Sequence, residues 1–269
     1  MPATIHLYEL AEQCLYVSAI EAKLAATDQA EELLAKRGFD LRGHRPPRPA
    51  TEVRFPERPL LMEPRKLARR GLHTEAGRVA FLHALAHIEF TAIHLAWDAA
   101  YRFRTLPEQF HYDWVRVAIE EVAHFRALRQ RLTDFGADYG ELPAHRGLWE
   151  LAENTAGDVL HRMALVPRFM EARGLDVTPG MIARLEETGD TVSAGILHLI
   201  LREEIGHVTY GSRWFRQVCQ ERGLEAEGEY FDLVRRHIRG VVRGPFNQEA
   251  RLAAGFSEAE LKRLEAMEA

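Results

Sequence analysis

Two short stretches of the sequence place a histidine three residues after a glutamate. They are IEEVAHF, which contains Glu121 and His124, and REEIGHV, which contains Glu204 and His207. Residues three apart lie on one face of a helix with their Cβ atoms about 5–6 Å apart, close enough to bind one ion. A single pair of this kind is weak evidence, because chance and surface ion pairing also produce the spacing.

Both pairs fall on the apolar stripe of their helices, which strengthens the case for a metal site. The two stripes run through Trp114, Val117, Glu121, His124 and Leu128, and through Leu197, Ile200, Glu204, His207, Gly211, Trp214 and Val218. The alternating spacing of three and four residues is typical of the helix face that points into the core of a bundle. A buried carboxylate needs a compensating cation, and a metal ion supplies one.

A single glutamate in an apolar row precedes each pair by one helix: Glu89 in the first case and Glu171 in the second. Glu89 lies 32 residues before Glu121 and Glu171 lies 33 before Glu204, so the two sets are offset by 82 or 83 residues. This offset is expected if one helical hairpin was duplicated. Two lone glutamates and two Glu-x-x-His pairs form the ligand set of ferritin-like di-iron and di-manganese proteins. The predicted metal ligands are therefore Glu89, Glu121, His124, Glu171, Glu204 and His207.

The charge of this ligand set favours two metal ions over one. Four carboxylates and two neutral imidazoles carry about −4, which two divalent cations neutralise. A single zinc ion usually takes four ligands and would leave an excess of negative charge. Iron is the expected metal, and manganese or a mixed Fe/Mn pair would use the same ligands.

Two alternatives stay open from the residues alone. In one, no metal binds, the glutamates pair with arginines such as Arg126, Arg168 and Arg202, and the histidines are ordinary core residues. The other concerns Glu171, whose helix contains a proline and is followed by Gly174. Asp158 or Glu153 could replace it as a ligand, although the 33-residue spacing favours Glu171.

Helices must position these residues, because helical periodicity dominates the chain and strand signals are almost absent. The predicted helices cover residues 6–37, 74–104, 107–135, 146–173, 190–222 and 228–239, with a short one after Ser257. Gly38, Gly136, Gly174 and Gly223 follow the ends of periodic runs. The predicted fold class is all-α. Its parts are an N-terminal helix with a Pro/Arg-rich connector at 1–72, a four-helix bundle at 73–222 and a helical extension packed on the bundle at 223–269.

Composition excludes several other classes of protein. The chain has 269 residues and a formal net charge of −5, so it lacks the basic excess of many nucleic-acid-binding proteins. Its two cysteines, Cys14 and Cys219, are too few and too far apart for a disulfide framework or a CxxC site. No run of 18 apolar residues and no secretion signal occurs, so we expect a soluble cytoplasmic protein without a membrane span.

The sequence resembles the ferritin-like superfamily and, more narrowly, a bacterial family of ferritin-like proteins of unknown function. The narrower likeness covers nearly the whole chain. It rests on AHIEFTAIHLAWDAAYRF at 86–103, RGLDVTPGMIARL at 173–185, LREEIGHVTYGSRWF at 201–215 and GPFNQEARLAAGFSEAEL at 244–261. The resemblance implies an antiparallel four-helix bundle with a di-metal site at its centre, formed by the six predicted ligands. It implies no substrate, because function on such a fold depends on the site and its access.

The function expected from these observations is that of a di-iron or di-manganese oxidoreductase or oxygenase that uses O₂ or peroxide. Its partners would be a small-molecule substrate and an external electron donor, since no CxxC pair could form a built-in rubredoxin iron site. A homodimer is one possible assembly. A tRNA-hydroxylase-like monooxygenase is an alternative, in which the arginines of 42–71 would contact phosphates, although the overall charge does not favour nucleic acid. A non-catalytic metal-binding or iron-handling protein is the other alternative.

Overall fold

The computed structural model describes residues 5–43, 45–63, 71–238 and 244–267. These residues are mostly helical and contain almost no strand, as the sequence predicts. The chain divides into two compact units, Met1–Glu153 and Asn154–Ala269. The ferritin-like bundle and the division of the chain at residues 72 and 222 stay predictions.

The first unit is built around two long helices. Its elements are β1 (Ile5–His6), α1 (Leu7–Tyr16), α2 (Ile20–Lys36), β2 (Phe39–Asp40), a 3₁₀ turn (Ala50–Glu52), α3 (Glu75–Arg102), α4 (Glu108–Asp134) and α5 (Gly147–Asn154). The strands β1 and β2 form a short parallel pair. Helix α3 begins where predicted, because the Thr74 hydroxyl accepts a hydrogen bond from the Gly77 amide. After α4, Gly136 adopts a left-handed conformation with φ 73°.

The prediction of one continuous helix over 6–37 is wrong. Val17 and Ala19 have extended backbones, which separate α1 from α2. The carbonyl groups at the end of α1 find partners elsewhere: the Arg54 amide donates to the Leu15 oxygen, at 2.9 Å. Lys23 Nζ donates to the Cys14 oxygen, at 2.5 Å. Contacts from distant residues thus replace the helical hydrogen bonds that periodicity alone predicts.

Helix α3 is long and apolar enough to cross a membrane, with a mean hydropathy of 1.4 over its best window. About two thirds of that window, 67%, is buried inside the protein. The buried residues of α3 include Glu89, His94 and Asp98. The central helix of a folded domain has this same character. Helix α3 therefore gives no indication of a membrane protein, and the cytoplasmic location stays a prediction.

Lys23 is fully buried in the first unit, which is unusual for a lysine. Its ammonium group donates to the backbone oxygens of Cys14 and Arg54. Burial lowers the pKa of Lys23 to about 8 from its ordinary 10.5, despite a small opposing effect of the Cys14 thiol. The folded protein therefore loses this proton at a lower pH than the unfolded chain does.

This difference predicts a pH-dependent effect of Lys23→Met on stability. Between about pH 8 and 10.5 the unfolded state binds more protons at Lys23, so this residue makes the wild type more stable as pH rises. The free energy of unfolding of wild type should therefore rise relative to that of Lys23→Met by about 2–3 kcal/mol from pH 7.5 to pH 10. Urea unfolding at both pH values measures it. Substitution of the exposed Lys36 by Met is the control, and a Lys23→Met difference that does not change with pH would contradict the prediction.

The second unit also consists of helices around one long helix. Its elements are α6 (Val159–Leu165), a π-helical segment (Val166–Glu171), α7 (Ala172–Glu187), α8 (Thr191–Glu221), α9 (Ala226–His237), α10 (Gln248–Ala253) and α11 (Glu258–Ala266). Helix α11 begins directly after Ser257, as predicted, and Ser257 forms a reciprocal capping box with Glu260. Helix α8 ends before Gly223, whose φ is 65°.

The prediction of one helix over 146–173, ended by Gly174, is wrong in two ways. The extended backbone of Asp158 begins a new helix, because its carboxylate caps the Leu160 amide. Farther on, α7 continues through Gly174 and Pro179 to Glu187. Pro179 has no N–H to donate to the Leu175 oxygen, and that oxygen accepts from Asn247 Nδ2 at 3.2 Å instead. A residue distant in sequence therefore compensates for the proline.

Candidate metal centre

Helices α3 and α4 carry the three predicted ligands of the first unit. Glu89 is 4% exposed, and Glu121 and His124 are 0% exposed. They lie on two consecutive helices connected by residues 103–107, so the apolar stripes of both helices bring these side chains into the same core. The inward orientation that the stripes predict for all three residues is what the structure has.

The ligand atoms of these residues form a compact group. His124 Nδ1 lies 3.3 Å from Glu89 Oε2 and 3.4 Å from Glu121 Oε2. Each of the three residues offers one ligand atom, and these atoms lie within 4.8 Å of one another. Metal–ligand bonds of about 2.0–2.2 Å place neighbouring donor atoms about 3–4 Å apart. The group therefore has the donor types and the spacing to hold a transition-metal ion.

The electrostatics of this group favour a cation. Burial, together with the charge of Glu121, raises the pKa of Glu89 well above its ordinary value. Burial alone would lower the pKa of His124, but the hydrogen bonds and charges of Glu121 and Glu89 outweigh it and raise this pKa to about 11. The buried group thus holds positive charge in the form of protons retained by Glu89 and His124. A divalent ion would supply that charge.

The second unit contains a similar pair on α8. His207 Nδ1 lies 3.5 Å from Glu204 Oε2, the same atoms and nearly the same distance as in His124 and Glu121. His207 is fully buried. Glu204 Oε2 is also buried and accepts no hydrogen bond within the part of the chain that the structure describes. A buried carboxylate oxygen of this kind needs a ligand, and a metal ion would satisfy it.

Glu171, the sixth predicted ligand, is the last residue of the π-helical segment, and its Oε2 atom is buried. Over the described ranges, no group of closely spaced metal-ligating atoms includes Glu171 or His207. The two alternatives to Glu171 have other roles. Asp158 caps α6 and pairs with Arg222 at 2.8 Å. Glu153 pairs with Arg146 at 2.7 Å. Glu171 stays a prediction that rests on its 33-residue spacing to Glu204.

The arginines that could have neutralised the glutamates pair with other acids. Arg126 makes two 2.7 Å hydrogen bonds to Asp28. Arg168 pairs with Glu260 at 2.8 Å, and Arg202 lies 3.5 Å from Glu203. None of these acids is a predicted ligand. These three arginines therefore pair with acids other than the predicted ligands.

The remaining histidines of α3 have structural roles. His83 Nε2 accepts from the Gly140 amide at 2.9 Å. His87 bonds to the Tyr139 hydroxyl and the His145 oxygen, and His94 Nδ1 donates to the Phe90 oxygen.

Arg168 has a structural role that the sequence does not predict. The sequence suggests it only as an ion-pair partner of the glutamates, whereas the structure buries it fully within the π-helical segment and pairs it with Glu260 of α11. Pro167 inside a long helical run is the signal in the sequence for this role. It indicates an irregular turn but does not predict the geometry of that turn.

Comparisons with known proteins find relatives that are themselves described as uncharacterized or of unknown function. The model of a family described as "Protein of unknown function (DUF455)" matches residues 16–262, a range that includes all six predicted ligands. A Haemophilus influenzae (strain KW20/Rd) protein described as uncharacterized is 45% identical over 214 residues, which cover 77% of this chain and 74% of that protein. No solved structure matches the chain significantly.

Proposed function

We propose that this chain, which belongs to the DUF455 family of proteins of unknown function, is a di-metal carboxylate protein with oxidoreductase activity. The observation that carries the proposal is the buried group of Glu89, Glu121 and His124. Its charge and donor atoms suit a divalent cation. The Glu204–His207 pair repeats part of this arrangement in the second unit.

The six proposed ligands divide equally between the two units. Glu89, Glu121 and His124 belong to the first unit, and Glu171, Glu204 and His207 belong to the second, so the offset of 82 or 83 residues coincides with the division of the chain. The two histidines and four carboxylates would hold the ions, a donor set like that of other di-metal carboxylate proteins. Iron, manganese or a mixed pair suits these donors.

The buried protein groups would control access to the ions. The ligands of the first unit lie in a core lined by the aromatic and aliphatic residues of α3 and α4, which exclude bulk water. When bound, an iron or manganese pair supplies electron-transfer chemistry toward O₂ or peroxide. A small-molecule substrate and an external electron donor complete the proposal.

Metal titration of the purified chain tests the proposal. After metal removal and anaerobic addition of Fe(II) or Mn(II), we expect two ions per chain by elemental analysis. Saturation should also stabilise the fold, by about 2.7 kcal/mol for each bound ion when the free metal is 100 times its dissociation constant. Thermal unfolding with and without metal measures this effect. If neither metal is retained above trace levels and neither raises the unfolding temperature, the proposal is wrong.

The structure gives no support to the alternative of a tRNA hydroxylase. Three arginines of the connector segment pair with nearby acids: Arg42 with Asp40, Arg45 with Glu12 and Arg48 with Glu52. These three ion pairs reduce the positive charge that the segment would offer to a phosphate backbone. Residues 44 and 64–70 of this segment lie outside the described residues. The alternative of a non-catalytic iron-handling protein uses the same ligands and differs in whether the loaded protein turns over O₂ or peroxide.

A further inference from the structure

The π-helical segment Val166–Glu171 contains a proline and ends on the proposed ligand Glu171. A π turn closes with more residues than an α turn, so it rotates the side chains that follow it. Pro167 also approaches α8 very closely: a Cβ atom added to Gly211 would lie 2.5 Å from Pro167 Cβ and Cγ. The direction of Glu171 therefore depends on whether this segment keeps its unusual geometry.

Arg168 fixes the segment from inside. Its side chain is 1% exposed, and its Nη2 donates to both carboxylate oxygens of Glu260, at 2.8 and 2.9 Å. Its Nε donates to Ser212 Oγ on α8 at 3.1 Å. The guanidinium carbon also lies 4.6 Å from the ring centre of Tyr230 and 4.4 Å from that of Phe256. The contacts of Arg168 thus surround it on several sides and leave it little freedom to move.

Glu260 is an unusually rigid partner. It belongs to the capping box of α11, in which the Ser257 amide donates to Glu260 Oε2 at 2.8 Å and Ser257 Oγ accepts from the Glu260 amide at 3.0 Å. The carboxylate is therefore held by its own helix as well as by Arg168. A two-oxygen contact to a guanidinium is also strongly directional.

Stability alone gives a weak reason for this buried ion pair. Removing two charges from water is costly, and apolar residues of similar size often stabilise a core as well or better. An ion pair can, however, hold a backbone segment in one specific position. Here Arg168 lies three residues before the proposed ligand Glu171, in the same segment.

We infer that Arg168 and Glu260 are positioning residues that orient Glu171 for metal binding, so that α11 takes part in forming the metal site. This inference rests on the proposed function. It assigns to the C-terminal segment 244–267 a role in metal affinity in addition to packing.

The chain offers a matched control on the same segment. Arg251 of α10 donates to both carboxylate oxygens of Asp176, at 2.8 and 2.7 Å, and this pair is as buried as the first. It joins the C-terminal segment to α7. Arg251 shares the ring of Phe256 with Arg168, but its carboxylate partner Asp176 lies on α7 and outside the π-helical segment. Loss of this second pair should therefore weaken packing without redirecting Glu171.

The experiment titrates Co(II), a probe with visible absorption bands that report ligand geometry, into the metal-free chain. We compare wild type, Glu260→Gln and Asp176→Asn. Glu260→Gln keeps an oxygen that can accept from the Ser257 amide but removes the charge that holds Arg168. We expect this substitution to lower the affinity for one of the two Co(II) ions by about tenfold or more. Asp176→Asn should leave both affinities within about twofold, although both variants lose stability.

A double variant, Arg168→Met with Glu260→Met, guards against simple unfolding of the single variant. Apolar side chains should preserve the packing while removing the directional contact. We expect the double variant to fold and still to bind one of the two Co(II) ions with lower affinity than wild type does. Equal Co(II) affinities in wild type and the double variant would overturn the inference, as would equal weakening by Glu260→Gln and Asp176→Asn. If wild type binds no Co(II), Fe(II) or Mn(II), the proposed function itself fails.

Discussion

Substitution of Glu121 by glutamine should abolish tight metal binding without weakening the metal-free fold. The Glu121 side chain is fully buried beside Glu89 and His124. In the metal-free protein the charge of Glu121 repels the Glu89 carboxylate and adds to the effect of burial in raising the pKa of Glu89. A neutral glutamine removes this repulsion and leaves the Glu89–His124 pair intact, at 3.3 Å. The same change removes an anionic ligand.

Two measurements with opposite expected results separate a ligand from a structural acid. Affinity for Fe(II) or Mn(II) should fall by more than about 100-fold, beyond the effect usual for groups that only support a ligand. The free energy of unfolding of the metal-free variant should stay within about 1 kcal/mol of wild type or exceed it. Urea unfolding in the presence of a chelator measures the second quantity.

The control for this prediction is Glu120→Gln, one residue earlier on the same helix. Glu120 is only half-buried, and its side chain is rotated by about 100° from Glu121, so its loss should leave metal affinity nearly unchanged. If Glu121→Gln unfolds the metal-free protein while metal affinity per folded chain is retained, Glu121 is a structural residue and the ligand assignment is wrong.

The largest loss of stability is expected from Asp98→Ala. Asp98 is fully buried near the end of α3 and accepts from Arg102 Nε at 3.0 and 3.1 Å, with a further contact from Arg102 Nη2. Removal of the carboxylate leaves a nearly buried guanidinium whose charge is not compensated. Such a change typically costs about 3–5 kcal/mol. Urea unfolding of the metal-free chain measures the loss.

The Arg48–Glu52 pair provides a comparison at the surface. Its side chains are 36% and 49% exposed, so solvent screens their attraction. Glu52→Ala should cost about 0.5 kcal/mol or less. Similar losses for Asp98→Ala and Glu52→Ala would show that burial does not control the strength of the Asp98–Arg102 pair.

The parts of the fold that sequence could predict depend on nearby residues. The predicted helices at 74–104 and 107–135 differ from α3 and α4 by only one or two residues at each end. Their limits follow from the Thr74 cap and the left-handed Gly136, which are local signals. The inward orientation of Glu89, Glu121 and His124 follows from helical periodicity in the same way.

The parts that sequence could not predict depend on distant partners. Helix α7 passes through Gly174 and Pro179 because Asn247 and Arg251, more than 70 residues away, bind its backbone and Asp176. The π-helical segment likewise depends on Glu260 and on the close approach of Gly211. Propensity and periodicity describe each helix alone, so they predict a helix end where tertiary contacts preserve the helix.

The order in which the chain is synthesised determines when the Arg168–Glu260 pair can form. The two residues are 92 positions apart, and Glu260 is the later one. Chains generally fold from the N-terminal side while they leave the ribosome. The first unit can therefore form while Arg168 still lacks its carboxylate partner. The second unit should mature only after Glu260 emerges, so incorporation of the metal would be a post-translational step.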